Sequence, residues 1–229
     1  WPAAVTGREE SLRALRSLHR AHHDAVCPHC LVEDMYLRMS WEHGYVTACP
    51  THRVLLVERC PACDAFLSTN RERIDQCECG QELCLAPATP AGSVHLWLST
   101  LLISGDCQAH SLLPDLSGAR AVDIAELVRT LCLYYAPDAP PPRRNSANPG
   151  SVREAIEFLT PLEALLADWP LSYEQHVRAR IAAGAANART LKALLGPWFR
   201  HLLAVASTGP LGGFLSPVIR VASVEFDGV

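Results

Sequence analysis

Eight cysteine and histidine side chains between residues 27 and 79 fall into two sets of four: Cys27-x2-Cys30 with Cys49-x2-His52, and Cys60-x2-Cys63 with Cys77-x-Cys79. Two thiolates held on one tight turn converge on a point, and two such pairs complete the tetrahedral shell that Zn²⁺ prefers. Both opening pairs are Cys-Pro-x-Cys, and the proline fixes φ for the turn before any metal arrives. Two structural zinc ions are therefore expected. The stretches between the pairs are too short to bury a core, so metal binding here should be folding free energy.

Eight of the cysteines lie between 27 and 84, which also suits a disulfide framework. Cysteines spaced two apart make poor bridges and good chelators, and no secretory signal precedes them, so the reading is zinc in a cytosolic setting. Ligands could pair sequentially, giving one site of three cysteines and a histidine (Cys27, Cys30, Cys49, His52) and one all-cysteine site (Cys60, Cys63, Cys77, Cys79), or could interleave in a cross-brace. The sequential arrangement is the expectation. Cys84 is close enough to replace Cys79, and His22, His23, His29 and His43 are close enough to compete. A catalytic zinc keeps an open position, whereas these sets are sulfur-rich and closed at four. The deaminase pattern (His-x-Glu, then Pro-Cys-x2-Cys) and the His-Glu-x2-His pattern are both absent, so no enzyme is expected.

The elements around these ligands divide the chain at changes of composition. Residues 6–21 read as a helix opened by the capping box Thr6-x2-Glu9, with Leu12, Leu15 and Leu18 on one face. With the zinc hairpins it makes a module over 1–90. Residues 91–136 form a helical segment, with helices at 93–104 and 119–136 and with Cys107 and Cys132 as small core residues. The proline-rich stretch 137–150, which includes Arg143-Arg144, reads as a linker. Over 151–229 a helical domain follows. Capping boxes at Ser151-x2-Glu154 and Thr160-x2-Glu163 predict two short helices, and Ser172 caps another over 173–183. Further helices at 188–195 and 197–207 are split at Gly196-Pro197, and the tail 214–226 is a strand or a packing arm. The fold class is mainly α with small zinc-stabilised β hairpins, tandem zinc fingers preceding a helical domain of helix-turn-helix type. No stretch reaches the ~20 apolar residues of a membrane span.

Net charge is −4, and seven thiolates with two Zn²⁺ would make it about −7. The positive charge is localised: residues 171–220 hold six basic side chains against one acid, Glu174. Two helices joined across Trp169-Pro170-Leu171-Ser172 suit a helix-turn-helix whose second helix exposes Gln175, Arg178 and His176. The DNA-contact expectation is Gln175, Arg178, Arg180, Arg189 and Lys192.

The series Cys27-Pro28-His29-Cys30-Leu31, Glu33-Asp34, Tyr36, Arg38, Trp41, Cys49-Pro50-x-His52, Leu55, Cys60-Pro61-x-Cys63, Cys77-x-Cys79-Gly80 and Leu83 resembles the TniQ family, which includes TnsD-like proteins. The resemblance spans residues 22–85 and thins toward the C-terminus. It implies a non-catalytic adaptor that selects target sites for a bacterial transposon. Such an adaptor binds target DNA or rides on an RNA-guided CRISPR effector, and it recruits an AAA+ ATPase regulator that brings the transposase. Some family members are dimers, and the setting is the bacterial cytoplasm at the nucleoid. The segment that members carry ahead of the zinc region is visible here only as one helix. A zinc-containing helix-turn-helix transcription regulator is the alternative, and a zinc hydrolase a more distant one.

Overall fold

In the computed structural model the described residues are 18–20, 22–104, 114, 116, 118–136, 148–184, 190–207 and 209–226. The capping box at Thr6, Cys107, the arginine pair of the linker and Arg189 lie outside them. Among the described residues the chain is mainly helical. Its helices are α1 (Pro28–Glu33), α2 (Ser93–Ser104), α3 (Ala121–Leu133), α4 (Val152–Leu166), α5 (Leu171–Ala183), α6 (Leu191–Ala206) and α7 (Leu215–Phe226), with one antiparallel pair of strands, β1 (Ala48–Cys49) and β2 (Val54–Leu55). Short 3-10 turns lie at Met39–Glu42, Leu83–Leu85 and Gly209–Phe214.

Contacts divide the chain into two units, Trp1–Gly105 with Asn148–Phe158, and Asp106–Ala147 with Leu159–Val229. This partition differs from the divisions at 90, 136 and 150 drawn from composition, for two physical reasons. Ser99 on α2 accepts from the amides of Thr47 (3.2 Å) and Ala48 (3.1 Å), and Thr47 Oγ1 lies 2.9 Å from His95 Nδ1. Helix α2 therefore completes the hydrogen bonding of the β1 hairpin. The start of α4 is held in the same unit by Glu58. Its carboxylate, 6% exposed, accepts from the amides of Val152 and Arg153 and fills the place of an N-cap. Ser151 caps the same end by accepting from the Glu154 amide (3.0 Å), while the Glu154 carboxylate reaches back to Gly150 N (2.8 Å). Glu58→Ala should cost about 2 kcal/mol in urea unfolding, with Glu58→Gln recovering part of it, because two helix-end N–H groups lose a buried acceptor.

The first unit is built from short ladders and turns. Strand β1 pairs with β2 in the register Ala48↔Leu55 and Cys49↔Val54, and isolated bridges join Val26 to Val57, Arg59 to Phe66 and Gln76 to Glu82. A buried arginine braces the entry: the Arg20 guanidinium donates to the carbonyls of Trp41 (2.5 Å), Val46 (2.7 Å) and Gly44 (3.1 Å). Gly44 is required there, since a Cβ would sit 2.9 Å from the Leu18 carbonyl oxygen.

In the second unit α3 buries Ile124, Ala125, Leu127, Val128 and Leu131, with Cys132 buried beside them and Val122 on the exposed side. Thr160 and Pro161 do not start a new helix, because α4 runs through them. An interior proline costs about 3 kcal/mol, and four buried leucines (159, 162, 165 and 166) on one stripe each return about 1.5–3 kcal/mol, so the helix persists. Helix α5 begins at Leu171 with Pro170 as its N-cap, so Ser172 sits inside the first turn rather than capping it. Gly196 (φ 62) breaks α6 beside Pro197, as expected from the sequence, and Thr190 caps its start by accepting from Ala193 N. The tail, expected as a strand or a packing arm, is helix α7 and not a strand.

Candidate metal centres

The first centre is assembled by α1 and the β1–β2 turn. Cys27 is the N-cap of α1 and Pro28 its first residue, where a fixed φ is already helical and no N–H is lost. Cys30 follows one turn on. Cys49 ends β1, and the chain then turns through Pro50 to His52, closing with the Arg53 amide on the Cys49 carbonyl (2.8 Å). The turn is completed by Arg53 in the left-handed region, φ 58. The second centre repeats this device twice. Asp64 (φ 57) closes the turn after Cys60-Pro61-Ala62-Cys63, and Gly80 (φ 91) closes the one carrying Cys77 and Cys79. Asp64 N donates to the Cys60 carbonyl (2.9 Å) and Gly80 N to the Cys77 carbonyl (2.8 Å).

These turns bring the eight side chains into two groups in the sequential arrangement, and within each group all ligand atoms lie within 4.8 Å of one another. A zinc tetrahedron with Zn–S near 2.3 Å and Zn–N near 2.0–2.1 Å has edges of about 3.8 Å between sulfurs and about 3.6 Å between sulfur and nitrogen. In the first group His52 Nδ1 lies 3.5 Å from Cys27 Sγ, 3.4 Å from Cys30 Sγ and 3.6 Å from Cys49 Sγ, with Cys30 and Cys49 sulfurs 3.6 Å apart. In the second, Cys60 and Cys79 sulfurs are 3.5 Å apart and Cys63 and Cys77 sulfurs 3.8 Å. These distances lie close to the edges of a tetrahedral metal site in both groups. Cys84, His22, His23, His29 and His43 belong to neither group.

Electrostatics points the same way. The hydrogen bond from the Cys27 thiol holds Cys49 at about 4, while the same bond and burial push Cys27 upward. At Cys60 burial opposes ionisation, but the N–H groups of Cys63 and Ala62 outweigh it and hold the thiol at about 7. Sulfurs packed this closely cannot all ionise unless a cation neutralises them, which is the charge a divalent metal supplies. Four protein donors in each group leave no open position for substrate.

The TniQ family model matches residues 3–56. Residues 3–56 are similar to a TniQ domain. The match supports membership of the TniQ family, and the TniQ segment contains all four residues of the first group, whereas the second group lies beyond it. Among curated proteins, none matches the sequence. The TniQ family implies a transposition-associated adaptor role.

The contact made by one residue of the TniQ segment is not legible in the sequence. Glu33, at the end of α1, places Oε1 2.9 Å from His52 Nε2. That contact fixes the tautomer, with the proton on Nε2 and the Nδ1 lone pair aimed at the three sulfurs. Only the direction of α1 brings Glu33 there, and spacing carries no sign of it. Glu33→Ala should weaken zinc affinity of the first centre about tenfold, read by competition with a chromophoric chelator.

The expected DNA contacts divide into two kinds. Gln175, Arg178 and Lys192 are exposed. Arg178 also pairs with Glu174 (3.3 Å), a carboxylate it shares with Arg220. Arg180 is withdrawn: it is 6% exposed, donates to the Tyr134 carbonyl (2.6 Å) and lies over the Trp198 ring (4.9 Å). His176 stacks on Tyr135 at 4.8 Å, and burial and the Arg180 charge lower it to about 4, so it is neutral at physiological pH. Both placements have one cause. Residues 173, 177 and 180 form the buried face of α5, and the ring of His176 fills the space beside it.

Proposed function

We propose that the chain is a non-catalytic adaptor in DNA transposition. It engages the target site and recruits an AAA+ ATPase regulator, with two zinc ions as scaffold. The observation that carries this reading is the TniQ match over residues 3–56, with a closed metal-ligand group inside it. Charge supports a division of labour. Residues 22–90 hold ten acidic and five basic side chains, which disfavours phosphate and suits a protein partner. The arginine-rich window at 171–220 suits DNA. Helix α5 would be the reading helix, presenting Gln175 to base edges and Arg178 to the flanking phosphates on its exposed face, where Ala179 and Ala182 keep the surface low enough to enter a major groove. Lys192 and Arg189 would add phosphate contacts, and an RNA-guided effector that supplies the site would take the place of direct reading. Among the described residues no helix is long and apolar enough to cross a membrane.

Arg178→Gln combined with Lys192→Gln should weaken DNA binding and lower the slope of log K against log salt by about 2, one per lost phosphate contact. An unchanged slope in fluorescence polarisation overturns the DNA assignment. Retention of the AAA+ ATPase on the immobilised chain, with and without target DNA, tests recruitment separately.

A further inference from the structure

The chain has two methionines, Met35 and Met39, and both are exposed, Met35 at 63%. They stand with exposed Val32 and Tyr36 in the nine residues that follow the first zinc knuckle. Helix α1 packs on the 3-10 turn Leu83–Leu85, whose Leu85 is 70% exposed. Four large apolar side chains within residues 32–39, and Leu85 on the turn packed against α1, thus face solvent at this corner of the first unit. Met and Tyr are the side chains enriched in the buried centre of protein interfaces, and Met adapts to a partner's shape at little cost. Scattered exposed residues need no explanation, but a cluster rimmed by charge marks a binding surface.

The corner is rigid. Its helix begins at ligand Cys27 and ends at Glu33, which is bonded to ligand His52. Beyond it the Arg38 guanidinium lies over the Tyr36 ring (5.0 Å) and the Trp41 ring (5.8 Å), and Trp41 is buried. A partner would meet a surface already ordered, so little entropy is lost on docking. The rim is acidic, with Glu33, Asp34 and Glu42 exposed around the one arginine.

We infer that this corner is a protein-docking surface, and that its occupant is a segment of another protein with a large apolar anchor flanked by lysine or arginine. The apolar centre selects the anchor, and the acidic rim selects the flanks and excludes DNA. The inference rests on the adaptor reading for the existence of a protein partner, while the surface itself is read from exposure and charge.

The test is selection of a phage-displayed random peptide library on the zinc-loaded full chain. Enriched peptides should carry Leu, Phe or Trp beside Arg or Lys. Met35→Asp and Met39→Asp should each weaken the winning peptide about tenfold or more, and Asp34→Lys should weaken it most at low salt. Zinc content, circular dichroism and DNA binding of these variants should match the parent. Acidic winners, no enrichment, or winners indifferent to both aspartate variants overturn the assignment. So does a dimer in sedimentation that Met35→Asp dissociates, since a second copy would then be the occupant. If the ATPase is retained by Met35→Asp at parental affinity, the surface falls and the adaptor reading stands. If neither the parent nor any variant retains the ATPase, the adaptor reading falls.

Discussion

Stripping metal from the folded protein should unravel the first unit while leaving the helices of the second in place. Around its ligands the described part of the first unit has one two-residue strand pair, isolated bridges and a six-residue helix, and its twelve-residue α2 leans on that strand pair through Ser99. None of these would form alone. A structural zinc contributes about 10–16 kcal/mol of apparent binding free energy in small zinc domains, as much as the whole stability of an ordinary protein, about 5–15 kcal/mol. Loss of two such ions cannot be absorbed. Loss should also be stepwise. Cys63 and Cys79 of the second group are exposed, whereas Cys27, Cys30 and Cys49 of the first are buried. A chelator should therefore take the ion of the all-cysteine group first. Native mass spectrometry should find two zinc ions, then one, then none. Hydrogen exchange should lose protection first at Cys60 and Leu67, whose amides bond across the second knuckle to Ala65 and Glu58. Val26, Leu56 and Val57 should follow with the second ion. Unchanged exchange at these amides in metal-free protein rules out the scaffold role.

What the sequence made legible was what depends on local spacing. The ligand groups needed only turns of three or four residues, and their sequential grouping follows from turns that close on themselves. The bounds of α2 and the break at Gly196-Pro197 were legible for the same reason, since apolar periodicity and a Gly-Pro step act within a few residues. What escaped depends on distant partners. Glu58 looks like one more acid beside a zinc ligand, yet it caps a helix 94 positions away. Pro161 looks like a first-turn proline until the leucine stripe that runs past it is known to be buried. Arg180 stands in a basic window and has the chemistry of a phosphate contact, but its acceptors lie 45 and 46 positions earlier. Composition counts its charge. Burial decides what that charge does.

The arginines of α5 should therefore behave oppositely. Arg180 reaches the open end of α3, where helix carbonyls lack intrahelical partners, and donates to Tyr134 O at 2.6 Å and Tyr135 O at 3.5 Å while its guanidinium covers Trp198. Burial draws its pKa down to about 10, so at neutral pH it remains the cation that those carbonyls need. Truncation takes that donor from two half-buried carbonyls and removes the contact with the indole. Arg180→Ala should cost about 3 kcal/mol in urea unfolding. Arg180→Lys should restore only part of that, because an ammonium cannot span two carbonyls and stack at once. Arg178→Ala should stay within about 0.5 kcal/mol, since Glu174 keeps Arg220 as partner. In DNA binding the order reverses. Arg178→Ala should flatten the salt dependence of fully folded protein, whereas Arg180→Ala should leave the slope unchanged and lower only the folded fraction. Equal salt slopes for the two variants, with Arg180→Ala as stable as the parent, would return Arg180 to the DNA face and remove the buried capping role assigned to it.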